Sequence, residues 1–179
     1  MMNAGVAVVG GLIGGLAMVV MLYAAIWMLP NQMRMNLLLL IGTLFAPVGA
    51  AAYGLGFMMH LMMSAAFGLV HGALIEQVGV KSGGAGAGYG AVFGLGHAVA
   101  TGMALGMMPM IHPRLRKSRP TLTPVFAGGP AASGAPADDE LLDAPGFFGL
   151  NYPVMTTAGF FALHVMFGAI VGAAYGGWA

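Results

Sequence analysis

Four long stretches of this sequence are almost entirely apolar, and they limit the chain to one class of fold. They run over about residues 4–29, 49–75, 85–111 and 154–178. Each exceeds the ~20 residues that an α-helix needs to cross the hydrocarbon core of a bilayer. Only 6% of the 179 residues are charged, against about 25% in a soluble domain. The sequence therefore predicts an all-α integral membrane protein, a four-helix bundle whose surroundings are the lipid bilayer.

Glycine recurs at four-residue intervals along these stretches. Residues four apart lie on one face of a helix, and a ridge of small residues lets two helix backbones approach closely in lipid. We therefore expect the spans to pack through glycine ridges, in the manner of a glycine zipper. The ridges consist of Gly10, Gly11, Gly14 and Gly15; Gly86, Gly90 and Gly94; Gly102 and Gly106; and Gly168, Gly172 and Gly176.

A shorter apolar stretch precedes the second span. It covers residues 37–46 and is followed by Pro47. About ten residues are too few to cross ~30 Å of hydrocarbon. We interpret this stretch as a short interfacial or re-entrant helix that leads into the second span.

The long loop over residues 113–153 differs in composition from the spans. It begins with four basic residues, continues rich in proline, glycine and alanine, and has an acidic run within residues 121–143. With four spans, Arg34 and the basic start of this loop lie on one side of the membrane, and Lys81 lies on the other. Because basic loops stay inside, we predict a multi-pass protein with a cytoplasmic loop and both termini outside.

Three histidines, His60, His97 and His164, each lie near the middle of a different span. Each is on or beside a ridge of glycine or small hydroxyl residues, so we predict that the three imidazoles point into the bundle at one depth. Three imidazoles could bind a transition metal, and two could ligate a haem or a bacteriochlorophyll-type pigment. Histidine can also act as interhelical hydrogen-bonding glue, or it can belong to a proton or ion path.

Four further residues are weaker metal-ligand candidates: His71, Met107, Met108 and His112. Thioether and imidazole groups together suit Cu(I). The chain has 17 methionines, and methionine also fills irregular apolar gaps without any ligand. A cation transporter usually has carboxylates near the membrane midplane, whereas the spans of this chain have no Asp or Glu apart from Glu76 at the very end of the second.

Several classes of function are disfavoured. The chain has no cysteine, which excludes thiolate metal sites and thiol catalysis. Its net charge of +1 argues against nucleic acid as a partner. No nucleophile, base and acid set is visible, which makes an enzyme the less favoured class.

The order of several short motifs resembles a family of small, uncharacterised bacterial four-span membrane proteins, described only as a domain of unknown function. The resemblance covers most of the chain except the loop over residues 121–143, and it implies four spans in the bacterial inner membrane and no particular activity. The motifs are the glycine-rich first span, Leu40–Leu44, His60 with Ser64 and Gly68, Met107–Pro113, Pro145–Phe147, and His164 with Gly168.

These observations lead to three hypotheses about function. The first is a non-catalytic accessory or structural subunit of a larger bacterial membrane complex, because the glycine ridges offer much close-packing surface to other membrane subunits. The second is a bundle that binds haem, a metal or a pigment through His60, His97 and His164, for electron transfer. The third is a metal-ion permease that uses the methionine and histidine groups.

Overall fold

The structure of this protein is a computed structural model that describes residues 2–115 and 142–178. Most of the predicted cytoplasmic loop, with its acidic run, lies outside the described residues. Within them the chain is all-α, as predicted, and the remaining contact of β type is an isolated bridge between Leu115 and Leu142. The helices are α1 (Ala4–Met28), α2 (Leu37–Gly42), α3 (Ala50–Val78), α4 (Gly83–Met107) and α5 (Val154–Trp178).

Polar residues at the helix ends explain where these helices begin. The side chains of Asn3, Asn36 and Ser82 each accept a hydrogen bond from the backbone N–H three residues later, at 3.2, 3.1 and 3.3 Å. Such caps satisfy N–H groups that have no partner inside the helix. At the other end of α3, Gly79 takes the left-handed conformation, with φ of 72°, which favours glycine.

Four helices are long and apolar enough to cross a membrane: α1, α3, α5, and α4 together with the 3₁₀ turn that follows it to Met110. Their outward faces expose large apolar side chains such as Leu16, Val92 and Met155. A surface of this kind is stable in lipid and not in water. The protein is therefore a multi-pass membrane protein, and its surroundings are a lipid bilayer.

The glycine ridges lie in the contacts between antiparallel helices. A Cβ atom placed on Gly90 of α4 would collide with the carbonyl oxygen of Gly168 in α5, and one on Gly11 of α1 would collide with that of Ser64 in α3. The two backbones of each pair are so close that no side chain fits between them. The bundle thus consists of two tightly packed pairs, α1 with α3 and α4 with α5.

The two pairs join mainly through one helix contact. α1 packs along α5, where Gly14 faces the ring of Phe167. By contrast, α3 and α4 touch sparsely although they are consecutive in the chain. Their sparse contact leaves space in the middle of the bundle.

The predicted short helix before the second span is present as α2. A Cβ on Gly42 would collide with the backbone of Ala52, and one on Gly56 would collide with the backbone of Leu38. The earlier residue of α2, Leu38, meets the later residue of α3, Gly56, and Gly42 meets the earlier Ala52. α2 is therefore antiparallel to the first turns of α3. α2 therefore packs beside the first turns of α3, and whether it is interfacial or re-entrant stays a prediction.

The ridge of Gly102 and Gly106 has a different neighbour from the other ridges. It receives the rings of Phe148 and Phe147, which belong to the short 3₁₀ turn before α5. Phe148 takes a positive φ of 56° there. The aromatic segment thus packs against α4 and helps to fix the start of α5.

Candidate functional site

A cavity of about 270 Å³ lies in the middle of the bundle. All five helices contribute to its wall, together with the segment that connects α1 to α2. The three histidines that the sequence singles out, His60, His97 and His164, all line it. Most of the wall is apolar, and six methionines contribute to it: Met18, Met33, Met35, Met59, Met63 and Met108.

His60 is held by α1 at one edge of the cavity. Its Nε2 lies 3.0 Å from the carbonyl oxygen of Gly15, so Nε2–H donates. A Cβ atom on Gly15 would collide with the side chain of Ser64, so the glycine lets α3 approach α1 closely at this level. One turn later, the hydroxyl of Ser64 donates to the carbonyl of His60 at 2.7 Å. His60 therefore links α3 to α1 while it lines the cavity.

His164 uses both of its ring nitrogens. Nδ1 lies 2.7 Å from the carbonyl oxygen of Phe160 and must donate, while Nε2 lies 3.1 Å from Oγ1 of Thr101. In the neutral imidazole, Nε2 accepts from the Thr101 hydroxyl. The same hydroxyl is also 2.8 Å from the carbonyl oxygen of His97. Its single hydrogen can serve one of these two acceptors at a time.

His97 differs from the other two cavity histidines, because its Nδ1 has no hydrogen-bond partner within the described residues. Its ring stacks on Phe67 with ring centres 3.8 Å apart. The ring of His164 meets it edge to face at 4.9 Å. A polar atom without a partner is costly in the interior of a protein, so the Nδ1 of His97 would gain from a hydrogen-bonding ligand.

His71 lies next to His97, although the sequence placed it apart from the other histidines. The two ring centres are 5.5 Å apart, and only 2% of His71 is exposed. Like His97, it has an Nδ1 without a partner among the described residues. His71 does not line the cavity but lies behind His97, against the ring of Phe167.

His112 lies outside the spans, at the end of the bundle near α2. Its Nε2 donates to the carbonyl of Leu40 at 2.8 Å, and its Nδ1 accepts from the backbone N–H of Arg114 at 3.1 Å. Both nitrogens are therefore in use, and neither is free to bind a metal. Burial lowers the pKa of His112, and the nearby Arg114 lowers it further, against the opposing effect of the Leu40 carbonyl.

The methionine candidates near His112 separate into two environments. Met108 lines the cavity, whereas Met107 is exposed on the lipid-facing surface. Across the residues that the structure describes, no three side chains of histidine, aspartate or glutamate are arranged to hold a metal ion. The three-histidine metal site gains no support from this arrangement and stays a prediction.

Some residues of the site were not part of the predicted set. Thr101 lies one turn after His97, and its hydroxyl also reaches His164 of the next helix. Phe67 and Phe167 contact the imidazoles from positions that no local pattern marks. Phe160 could have been found, because it precedes His164 by one helical turn, and their ring centres are 4.3 Å apart.

Comparison of the chain with protein-family models, with curated proteins and with solved structures finds no match. The resemblance to small bacterial four-span proteins therefore stays a prediction.

Proposed function

We propose that this protein binds a small lipophilic molecule in its central cavity, with His97 as the polar contact. The observation that supports this most directly is that His97, whose Nδ1 has no hydrogen-bond partner among the described residues, lines an otherwise apolar cavity. An apolar pocket with few polar groups is the usual form of a small-molecule site. The imidazole can donate to or accept from a hydroxyl or carbonyl group of the ligand.

Each of the other polar side chains at the wall has at least one hydrogen bond within the protein. The hydroxyl of Ser64 donates to His60, and that of Thr156 donates to the carbonyl of Gln32 at 2.7 Å. A ligand with many polar atoms would find few groups to pair with. The composition of the wall thus favours an apolar body with one polar atom.

The size of the cavity bears on the haem and pigment alternative. At about 270 Å³ it is slightly smaller than the ~300–1,000 Å³ of typical ligand pockets. This volume favours a compact ligand over a tetrapyrrole macrocycle. The rings of His97 and His164 are also in direct contact, with no gap for a macrocycle between them. Ligation of haem or pigment, and transport of a metal ion, remain proposals without an observation that favours them.

The hypothesis of an accessory subunit rested on spare glycine surface. The ridges that motivated it are occupied by contacts within the chain, as Gly90 with Gly168 and Gly106 with Phe147 illustrate. These contacts remove that reason to expect other membrane subunits, and the hypothesis stays a prediction.

For the location, we propose the bacterial inner membrane, with both termini outside. Arg34 and Arg114 lie at the same end of the bundle, since Arg34 bonds to the start of α5 and Arg114 to the end of α2. Lys81 follows α3 at the opposite end. This charge distribution supports a cytoplasmic position for the end that holds α2. Single cysteines at either end, probed with a membrane-impermeant thiol reagent, would test it.

The experiment for ligand binding compares two probes that differ by one hydroxyl, 1-naphthol and naphthalene. Equilibrium dialysis against nanodiscs with the protein and against empty nanodiscs separates binding from partition into lipid. We expect saturable binding of 1-naphthol, tighter than that of naphthalene by about 2- to 10-fold, the worth of one hydrogen bond. His97→Phe should remove this preference, because it keeps an aromatic ring next to Phe67 but has no ring nitrogen.

The matched control is Val99→Phe, which adds a phenyl ring to the exposed face of the same helix and should bind both probes as the wild type does. Binding of 1-naphthol no greater than that of empty nanodiscs would contradict the proposal. So would an unchanged preference for 1-naphthol in His97→Phe.

A further inference from the structure

The central cavity reaches the outer surface of the bundle between α3 and α4. Met63 of α3 lines the cavity and is at the same time 41% exposed. Ala104 of α4 also lines the cavity and is exposed. The two helices have only sparse contact with each other. We call the gap in the cavity wall at Met63 and Ala104 the side opening.

The side opening lies within the membrane-spanning part of the bundle. Met63 is in the middle of α3, and Ala104 lies within the span that ends at Met110. The outward faces of these helices carry exposed apolar side chains such as Met62 and Met103. The side opening is therefore continuous with the surface that lipid covers, and a molecule dissolved in the bilayer reaches it directly.

His97 lies at the other end of the cavity from the side opening. It is the first residue of α4, and Phe67 the last residue of α3, that lines the cavity, and their rings stack at 3.8 Å. Ala104 follows His97 by two turns, or about 10 Å along the axis. Met63 precedes Phe67 by one turn. Because α3 and α4 are antiparallel, both positions are displaced from His97 in the same direction, toward the end that holds α2.

Methionine side chains line the cavity next to the side opening. Met59 precedes Met63 by one turn of α3, and Met108 follows Ala104 by one turn of α4. The methionine side chain is flexible and adapts to irregular apolar shapes. The wall that leads from the cavity to the lipid therefore suits a flexible apolar chain, whereas the polar contact lies deeper, at His97.

We propose that the ligand is a lipid of the bilayer with a compact polar head and an apolar tail. The head lies in the cavity against His97, and the tail leaves through the side opening and stays among the lipid chains. The cavity volume of about 270 Å³ thus limits the size of the head and not the length of the tail. This inference rests on the proposed function and names the class of ligand.

The test uses two isomers of a probe with a tail. In 4-octyl-1-naphthol the chain points away from the hydroxyl, as the proposed orientation requires. In 2-octyl-1-naphthol the chain lies beside the hydroxyl and would have to fit at the His97 end of the cavity. The isomers have the same mass and the same apolar area, so they partition similarly into lipid. Each competes with radiolabelled 1-naphthol for the full chain in nanodiscs, at equal mole fractions of the lipid.

We expect the 4-octyl isomer to displace 1-naphthol at least as well as unlabelled 1-naphthol does. The 2-octyl isomer should need a mole fraction higher by about tenfold, because its chain overpacks the closed end of the cavity. Weaker displacement by the 4-octyl isomer than by unlabelled 1-naphthol would overturn the inference. Equal displacement by the two isomers would also overturn it.

A variant at the side opening tests where the tail leaves. Met63→Trp narrows the opening and should weaken displacement by the 4-octyl isomer more than displacement by unlabelled 1-naphthol. The matched control is Met62→Trp, at a neighbouring position that is 69% exposed and outside the cavity wall, which should keep the wild-type ratio. An unchanged ratio in Met63→Trp would contradict an exit between α3 and α4.

The same measurements separate this inference from the proposed function. Absence of saturable 1-naphthol binding to the wild type would overturn both. Saturable binding of 1-naphthol that the 4-octyl isomer does not displace would overturn the tailed ligand alone and leave the proposed function standing.

Discussion

The rings of His97 and His164 meet edge to face in the core of the bundle, with centres 4.9 Å apart and planes at 88°. Thr101 fixes this pair, since its hydroxyl lies 3.1 Å from Nε2 of His164. We expect Thr101→Val to destabilise the protein by about 0.6–1.7 kcal/mol, the range for hydrogen bonds between membrane helices. The measurement is the free energy of unfolding in a titration of mixed micelles with denaturing detergent.

Thr157→Val is the matched control for that substitution. The hydroxyl of Thr157 is buried and has no hydrogen-bond partner among the described residues, so its removal should be neutral or stabilising. Equal destabilisation by the two substitutions would show that the Thr101–His164 bond contributes nothing specific.

The glycine contacts predict a sharp difference between two neighbouring positions of α4. A Cβ on Gly90 would collide with the backbone of Gly168, whereas one on Gly88 would meet nothing within 4 Å. Gly90→Ala should therefore cost about 1–3 kcal/mol through overpacking. Gly88→Ala should stabilise the helix by about 0.5–1 kcal/mol. Unfolding free energies that are equal for the two variants would be inconsistent with close α4–α5 packing.

The pH dependence of stability should contain a contribution from His112. Burial and Arg114 lower its pKa below the ordinary value of about 6.5, so the folded state favours the neutral ring. The neutral ring makes its full contribution to the free energy of unfolding above about pH 6.5. This contribution is lost as the pH falls through the lowered pKa. His112→Gln has no such group, and the difference in unfolding free energy between the two proteins should shrink from pH 8 to pH 5.

That difference isolates His112, since the other histidines are common to both proteins. A difference in unfolding free energy that does not change between pH 8 and pH 5 would contradict a neutral, buried His112.

Filling the cavity should abolish ligand binding without harm to the fold. Ala104 lines the cavity, and Ala104→Leu places three more carbons at its wall. We expect loss of saturable 1-naphthol binding, with an unfolding temperature equal to or above that of the wild type. Ala100→Leu, one turn earlier on the same helix and not part of the cavity wall, should keep binding. Retention of binding in Ala104→Leu would place the probe somewhere else.

Much of the fold could be predicted because the spans are set by local properties of the chain. Apolar length and the caps at Asn3 and Ser82 determine where helices can form. The ridge of Gly86, Gly90 and Gly94 indicates a close helix contact. The local sequence does not determine which helix packs against this ridge, since several spans have a similar ridge. The α4–α5 pairing therefore required the three-dimensional structure.

The candidate site was predictable in part for the same reason. His60, His97 and His164 do line one cavity, and their central position in each span indicated a common depth. The proximity of His71 to His97 was not predicted. The position of a residue along one helix does not determine which residue of an antiparallel neighbour lies beside it. The short turn at Gly79 does not determine this alignment of α3 with α4 either, because the two helices have only sparse contact.

The pairing of α4 with α5 has a consequence for biogenesis. α4 is complete at Met107, but its main partner begins only at Val154. During synthesis, α1 and α3 can associate as soon as α3 has been made. α4 then lies in the membrane without its main partner until the ribosome has made α5, because it has little contact with α3. During that interval the glycine face of α4 is in contact with lipid and not with α5.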